Sequence, residues 1–303
     1  MIILDLVNPE KSQIKYKISQ FPDGQQTVDL IDWNDLLRYE DAVKINSRLN
    51  TFKDLELIIC ATAAVRNIKP TREIALYVPY FIGARSDRKF LDGGVNYLKQ
   101  VICPIINSLN FVTVVVLDPH SDVLEACLNN YEKVNNHTLV KYSLSKIDNK
   151  NGAQDRICLV SPDAGAYKKI FDVAKKFGIE NIITATKVRD MRSGNILRTE
   201  IPTLGRSIGD PNSANDDMKY VIIDDICDGG RTFIELAKAI KVTNPSVKVY
   251  LVVTHGIFSA GFEQLNQYFE GIYTTNSYVD VKDPEFNLKN DNNLHKLTQF
   301  NVI

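Results

Sequence analysis

At 303 residues, with 44% hydrophobic and 24% charged side chains, the chain has the composition of a globular protein with room for two domains. A formal net charge of -1 offers no general basic field for nucleic acid, no apolar run reaches membrane-spanning length, and the opening MIILDLVNPEKSQ lacks the basic region of a secretory leader. The five cysteines (Cys60, Cys103, Cys127, Cys158, Cys227) are odd in number and without CxxC spacing, which reads as reduced, mostly buried thiols in a cytoplasmic protein.

In chain order, β-branched apolar runs at 55–60, 74–79, 112–118, 157–161, 181–186, 220–224 and 247–253 predict strands. Between them, Leu98, Val101, Ile102, Ile105 and Leu109 fall at helical spacing, and Pro104 inside that stripe predicts a kink or break. Tyr167, Ile170, Phe171 and Ala174 form a second stripe that ends at Gly178, a C-cap residue. Phe233, Leu236, Ala237 and Ile240 form a third, in a helix starting at about Thr232. Such alternation predicts an α/β protein of two similar domains, each a mainly parallel sheet flanked by helices. The polar stretch 143–154 marks the junction, so domains of 1–150 and 151–303 are expected. The stretch 191–217 is too long for an idle loop and reads as a functional lid or a disordered segment.

Ligand chemistry concentrates where strands end. Residues 77–90, YVPYFIGARSDRKF, place Arg85, Arg88 and Lys89 around Asp87, cations suited to a polyphosphate or to a solvated basic turn. Residues 114–122, VVVLDPHSD, set His120 two positions beyond an aspartate at the end of an apolar run. Residues 159–169, LVSPDAGAYKK, carry Asp163, Ala164, Gly165 and Ala166 into a helix start. There, backbone amides can hold a pyrophosphate, and Asp163 can hold Mg²⁺ or simply cap the helix. Residues 184–192, TATKVRDMR, put Lys187 and Arg189 at the root of the long polar stretch.

The densest segment is 220–241, YVIIDDICDGGRTFIELAKAIK. Asp224 and Asp225 follow an apolar run and can hold ribose hydroxyls or a hydrated Mg²⁺. Asp228, Gly229, Gly230, Arg231 and Thr232 then form a loop whose backbone amides, with the positive end of the following helix, suit a phosphate. No GxxxxGK[ST] and no GxGxxG is present, which disfavours a P-loop kinase and a dinucleotide dehydrogenase.

This last segment resembles the phosphoribosyl-pyrophosphate loop shared by type I phosphoribosyltransferases and ribose-phosphate diphosphokinases (PRPP synthetases). Six further segments resemble the second family alone. Phe21-Pro22-Asp23-Gly24-Gln25 is similar to FSDGE, the adenine-contacting turn that one subunit lends another, with Gln25 for Glu. Residues 77–90 resemble PYxxYARQDRK, with Arg85 retained and Ser86 for Gln. Residues 114–122 resemble VDLHA, residues 161–166 SPDxGG with Ala166 for Gly, residues 187–190 KRRP, and residues 253–259 ATHGxFS.

The resemblance implies a two-domain enzyme with its site between the domains. It would transfer the β,γ-diphosphoryl group of ATP to the 1-hydroxyl of ribose 5-phosphate. Phe21, Asp23, Gln25, Arg85, Ser86 and His120 would bind ATP. Residues Asp163, Ala164, Gly165 and Ala166 would bind pyrophosphate. Asp224, Asp225, Asp228, Gly229, Gly230, Arg231 and Thr232 would bind the ribose phosphate. Lys187 and Arg189 would be catalytic, and His120 and Asp163 would place the cofactor Mg²⁺. A homodimer or homohexamer is expected, with no nucleic-acid or membrane partner. The loop DGGRT departs from the family's DTxGT, and a roomier, more basic cradle would suit a larger acceptor such as ADP-ribose. A non-catalytic regulatory homologue and a plain phosphoribosyltransferase are the remaining alternatives.

Overall fold

The structure is a computed structural model and describes residues 1–34, 42–148, 156–189, 196–200, 218–243, 245–290 and 293–303. They divide into two compact units, Met1–Asn135 with Val302–Ile303, and Asn136–Asn301.

The first unit contains, in order, β1 (Ile2–Asp5), β2 (Lys15–Gln20), β3 (Gln26–Asp32), β4 (Val43–Asn46), α1 (Phe52–Ile68) and β5 (Ile74–Tyr77). A π-helical turn (Leu98–Ile102) then runs into α2 (Cys103–Ser108), followed by β6 (Thr113–Leu117), α3 (Val123–Cys127) and β7 (Tyr131–Val134). Its main sheet is parallel throughout, in the order β1-β4-β5-β6-β7. β2 and β3 form a separate antiparallel hairpin. Leu4, Ile45, Leu76 and Val116 of the sheet pack with Leu55, Ile58, Ala61 and Val65 of α1 in one core.

The run at 55–60, expected as a strand, is helical. A capping box decides it: the Thr51 hydroxyl accepts from the Asp54 N–H, and the Asp54 carboxylate accepts from the Thr51 N–H at 2.8 Å. Leu55, Ile58, Thr62 and Val65 then fall on one buried face. The break expected at Pro104 appears as a change of helix type. Pro104 opens α2, and the Cys103 N–H reaches back five residues to the Leu98 carbonyl.

The second unit begins with α4 (His137–Ile147), whose Leu139, Val140 and Ile147 are buried in one core with residues of β8 (Ile157–Ser161) and α5 (Tyr167–Phe177). That packing carries α4 into the second unit, so the units divide at Asn135 where 150 was expected; residues 149–155 lie outside the described residues. After α5 come β9 (Asn181–Thr184), β10 (Thr186–Arg189), β11 (Ile196–Glu200), β12 (Lys219–Cys227), α6 (Arg231–Thr243), β13 (Lys248–Gly256) and α7 (Glu263–Tyr268). The unit closes with β14 (Gly271–Thr275), α8 (Pro284–Asn290) and β15 (Leu297–Phe300). The six-stranded sheet runs β15-β14-β13-β12-β8-β9, with every neighbouring pair parallel. β10, just before the stretch expected to be a lid, pairs antiparallel with β11 inside it; residues 190–195 and 201–217 lie outside the described residues.

Two expected helices hold, one of them with an adjusted face. α6 buries Phe233, Leu236, Ala237 and Ile240 as the stripe predicts. α5 ends at Gly178, which is left-handed at φ 66° as a C-cap requires. Its buried face, however, is Ile170, Val173 and Ala174, while Tyr167 and Phe171 stack on each other outside at 6.1 Å. The five cysteines are free thiols, and burial pushes those of Cys103 and Cys158 up to about 12. The expected parallel sheets flanked by helices are what both units contain.

Candidate functional site

In the second unit the chain order of strands reverses between β8 and β12. From β8 it steps outward to β9 on one side; from β12 it steps outward through β13, β14 and β15 on the other. Such a reversal opens a crevice outside the carboxyl ends of the two strands. The loop at 163–166 follows β8, and the loop at 228–232 follows β12. Both expected anion loops therefore leave the same edge of the sheet, from adjacent strands paired in the register Ile222↔Val160.

The first loop is held by its own polar groups. The Ser161 hydroxyl donates to the Asp163 carbonyl at 2.7 Å. The Asp163 carboxylate accepts from the Ala166 N–H at 3.1 Å, which closes the turn ahead of α5; the N-cap position of that helix is Ala166, so Asp163 is not its cap. Asp163 is half-buried, while Ala164 and Gly165 are exposed.

The second loop starts later than the apolar run indicates. β12 continues through Cys227, paired with Gly256 of β13, so Asp224 and Asp225 lie within the strand and point to opposite faces. Asp225 is buried, with Lys169 of α5 at 3.7 Å, and this pair ties the helix after the first loop to the strand before the second. Asp224 is half-buried and receives the Asp225 N–H at 2.9 Å. Burial, and then the charge of Asp225, holds the Asp224 carboxyl well above the usual carboxylate range, with Lys169 opposing. A ligand that donates hydrogen bonds or brings positive charge would relieve that cost.

Within the loop, Gly230 is buried at φ 77°, a conformation that side chains strain, and its carbonyl receives the Phe233 and Ile234 N–H groups that open α6. Gly229 is exposed, and a Cβ there would have Ser259 Oγ at 3.8 Å and Ala260 Cβ at 3.9 Å as nearest neighbours, which is room for a side chain. Arg231 is exposed at the first position of α6, and Thr232 is half-buried.

The segment at 253–259, which sequence reading linked to the site only by resemblance, is delivered beside the loop by β13. The Ile257 and Phe258 N–H groups both donate to the Cys227 carbonyl, at 2.8 and 3.1 Å. Ser259 Oγ donates to Asp228 Oδ1 at 2.6 Å. No sequence signal singled out Ser259 or Lys169, because each meets its partner only through sheet order. Gly256 is needed for this turn, since a Cβ would overlap the Phe258 ring and come within 2.8 Å of Thr274 Oγ1. Gly256→Ala is expected to cost about 1–3 kcal/mol of stability through that overlap. A thermal melt followed by circular dichroism reads it, and an unchanged midpoint would mean that the ring is not pinned there.

Lys187 and Arg189 lie on β10, paired with Thr199 and Ile196 of β11 across a register shift. β11 contacts α6, the helix that follows the second loop.

In the first unit, the segment carrying Arg85 and Ser86 follows β5, and His120 follows the adjacent parallel strand β6. The Leu117 N–H donates to the Pro79 carbonyl at 3.2 Å, which joins the two strand exits. Arg85 and His120 are exposed and Ser86 is half-buried. Phe90, Leu91 and Val95 are also exposed, so this loop carries apolar side chains on its surface. The turn at 21–25 caps the β2–β3 hairpin. Phe21 N–H donates to the Gln25 carbonyl at 2.8 Å, and Gln25 N–H to the Asp23 carboxylate at 3.1 Å. Phe21, Asp23 and Gln25 are all exposed there.

Residues 130–260 match the phosphoribosyl transferase domain family. Ribose-phosphate pyrophosphokinases from Marinomonas sp. (strain MWYL1) and Maricaulis maris (strain MCS10) are each 27% identical to this chain. The alignments cover 80% of this chain and 71% and 72% of those proteins. A solved phosphoribosylpyrophosphate synthetase from Mycobacterium smegmatis has the same fold, with a TM-score of 0.73 at 15% identity over 97% of this chain and 88% of that one.

Proposed function

We propose that this chain, a relative of the ribose-phosphate diphosphokinases, is itself a ribose-phosphate diphosphokinase, forming PRPP and AMP from ATP and ribose 5-phosphate. The observation that carries this reading is the pair of anion loops flanking the switch between β8 and β12, with Asp224 and Asp225 behind the second.

The 1-hydroxyl oxygen of the acceptor attacks the β-phosphorus. The bond from that phosphorus to the α,β-bridging oxygen breaks, AMP leaves with the bridging oxygen, and the hydroxyl proton passes to solvent. No covalent protein nucleophile is needed, so the residues position and stabilise charge. Asp228, Gly229, Gly230, Arg231 and Thr232 cradle the 5-phosphate at the start of α6. Asp224 and Asp225 accept hydrogen bonds from the ribose hydroxyls. Asp163, Ala164, Gly165 and Ala166 receive the transferred diphosphate. Lys187 and Arg189 meet the charge that develops on it. On the first unit, Phe21, Asp23, Gln25, Arg85, Ser86 and His120 serve the nucleotide.

Among the described residues no three His, Cys, Asp or Glu side chains converge as a closed metal cage. Mg²⁺ keeps much of its water and binds through one or two carboxylates and the phosphates of the substrate, a role open to the half-buried Asp163 carboxylate of the first loop. Asp163 and His120 are the proposed protein partners, and the ion would supply charge neutralisation on the polyphosphate. No described helix is long and apolar enough to cross a membrane. A cytoplasmic homo-oligomer that lends its exposed hairpin tip to a neighbouring subunit completes the proposal.

The test incubates purified protein with ATP, Mg²⁺ and an acceptor and identifies the products by mass spectrometry. Acceptor-dependent AMP supports the reading, and AMP with no acceptor tried would overturn it.

One observation favours a second acceptor class. Gly229 has room for a side chain, with its nearest neighbours at ordinary contact distance, and Arg231 is exposed at the first position of the helix that follows. A ribose whose 5-phosphate continues into a diphosphate, as in ADP-ribose, would use both. On that reading Arg231→Gly lowers kcat/KM for ADP-ribose by about 10-fold or more, the worth of a charge-assisted hydrogen bond. Its kcat/KM for ribose 5-phosphate should change far less. Equal or better turnover of ribose 5-phosphate by the unaltered protein rejects the larger acceptor.

A further inference from the structure

We propose that Ser259 is a positioning residue for the acceptor's phosphate, acting through Asp228; the inference rests on the diphosphokinase reading above. Asp228 opens a loop of two glycines ahead of a helix, the setting in which an aspartate folds back onto its own backbone amides. Asp163 does this in the neighbouring loop, where its carboxylate takes the Ala166 N–H three residues on. At Asp228, Oδ1 is held from outside the loop by the Ser259 hydroxyl at 2.6 Å.

The anchor is itself rigidly built. Register pairing of Cys227 with Gly256 brings the turn at 256–259 out beside the loop. The Cys227 carbonyl, one residue before Asp228, receives both the Ile257 and Phe258 N–H groups. Phe258 is held at φ 48°, which a non-glycine residue adopts only under constraint, with its ring buried and 4.5 Å from that of Phe262. A strained turn therefore sets the Ser259 hydroxyl against one carboxylate oxygen. The hydrogen bond fixes the direction in which Asp228 points its charge while a dianion enters the loop.

The experiment compares Ser259→Ala and Ser259→Thr with the unaltered protein in steady-state kinetics, isothermal titration of ribose 5-phosphate, and thermal melts. We expect Ser259→Ala to raise KM and Kd for ribose 5-phosphate about 5- to 10-fold, with kcat, KM for ATP and the melting midpoint nearly unchanged, and Ser259→Thr to restore affinity. Ser259→Ala indistinguishable from the unaltered protein would overturn this inference alone. A fall in the midpoint with parallel losses for both substrates would also overturn it, by making Ser259 merely structural. Absence of acceptor-dependent AMP from the unaltered protein would remove it together with the reading on which it rests.

Discussion

Asp224→Asn is expected to lower kcat/KM for the acceptor by about 10²–10³-fold, because hydrogen bonds from ribose hydroxyls to a carboxylate are worth roughly 1.5–3 kcal/mol each. The same substitution should make the protein more stable. Burial and the neighbouring Asp225 raise the Asp224 carboxyl well above its ordinary range in the folded state. Below the ordinary carboxylate value of about 4, folded and unfolded chains are both protonated and the group contributes nothing to pH dependence. As pH rises above that value, the unfolded chain ionises freely while the folded chain resists, and stability is lost up to the raised folded value. Asparagine removes this penalty. Its melting midpoint should exceed that of the unaltered protein at pH 7–8, by about 2–4 °C for each kcal/mol relieved, and the gap should close toward pH 4. Paired kinetics and melts across pH check both halves. A destabilised Asp224→Asn protein at neutral pH would mean that the carboxylate is a structural anchor, not a group held in readiness for a ligand.

Lys187→Ala carries the second large effect, a loss of about 10²–10³-fold in kcat with KM for both substrates within a few-fold, as for removal of a donor that acts on transition-state charge. Lys187 lies on β10, whose hairpin partner β11 contacts α6, the helix beginning at the proposed phosphate cradle. Single-turnover measurement separates chemistry from product release. If KM rises while kcat holds, Lys187 serves ground-state binding and the catalytic assignment is wrong. Lys187→Arg should recover only part of the rate, because a planar guanidinium does not replace a compact ammonium.

These expectations draw unequally on sequence and structure. The apolar run before Asp224, the two glycines and the helical stripe Phe233–Leu236–Ala237–Ile240 are local signals, and all were legible. So were β8, β5 and the Gly178 cap. The misreadings have different causes. At 55–60 the run LELIIC has strand-like composition, and only the Thr51–Asp54 capping box sets the helical period. In α5 the stripe holding Tyr167 and Phe171 is apolar enough to be core, yet Ile170, Val173 and Ala174 meet the sheet. β12 runs past Asp224 because β13 offers partners as far as Gly256, which one strand alone cannot reveal.

Sequence by itself determined the chemistry available: which loops carry glycines, carboxylates and cations, and that these follow apolar strands in α/β alternation. Those features depend on residue type and short-range periodicity, so they survive in one dimension. Tertiary structure alone decided that β8 lies beside β12, which sets the two anion loops at one switch point. It also decided that Lys169 reaches Asp225 and that Ser259 reaches Asp228. Those meetings depend on strand order and register, which follow from how separate apolar faces pack and not from the neighbours of any residue along the chain.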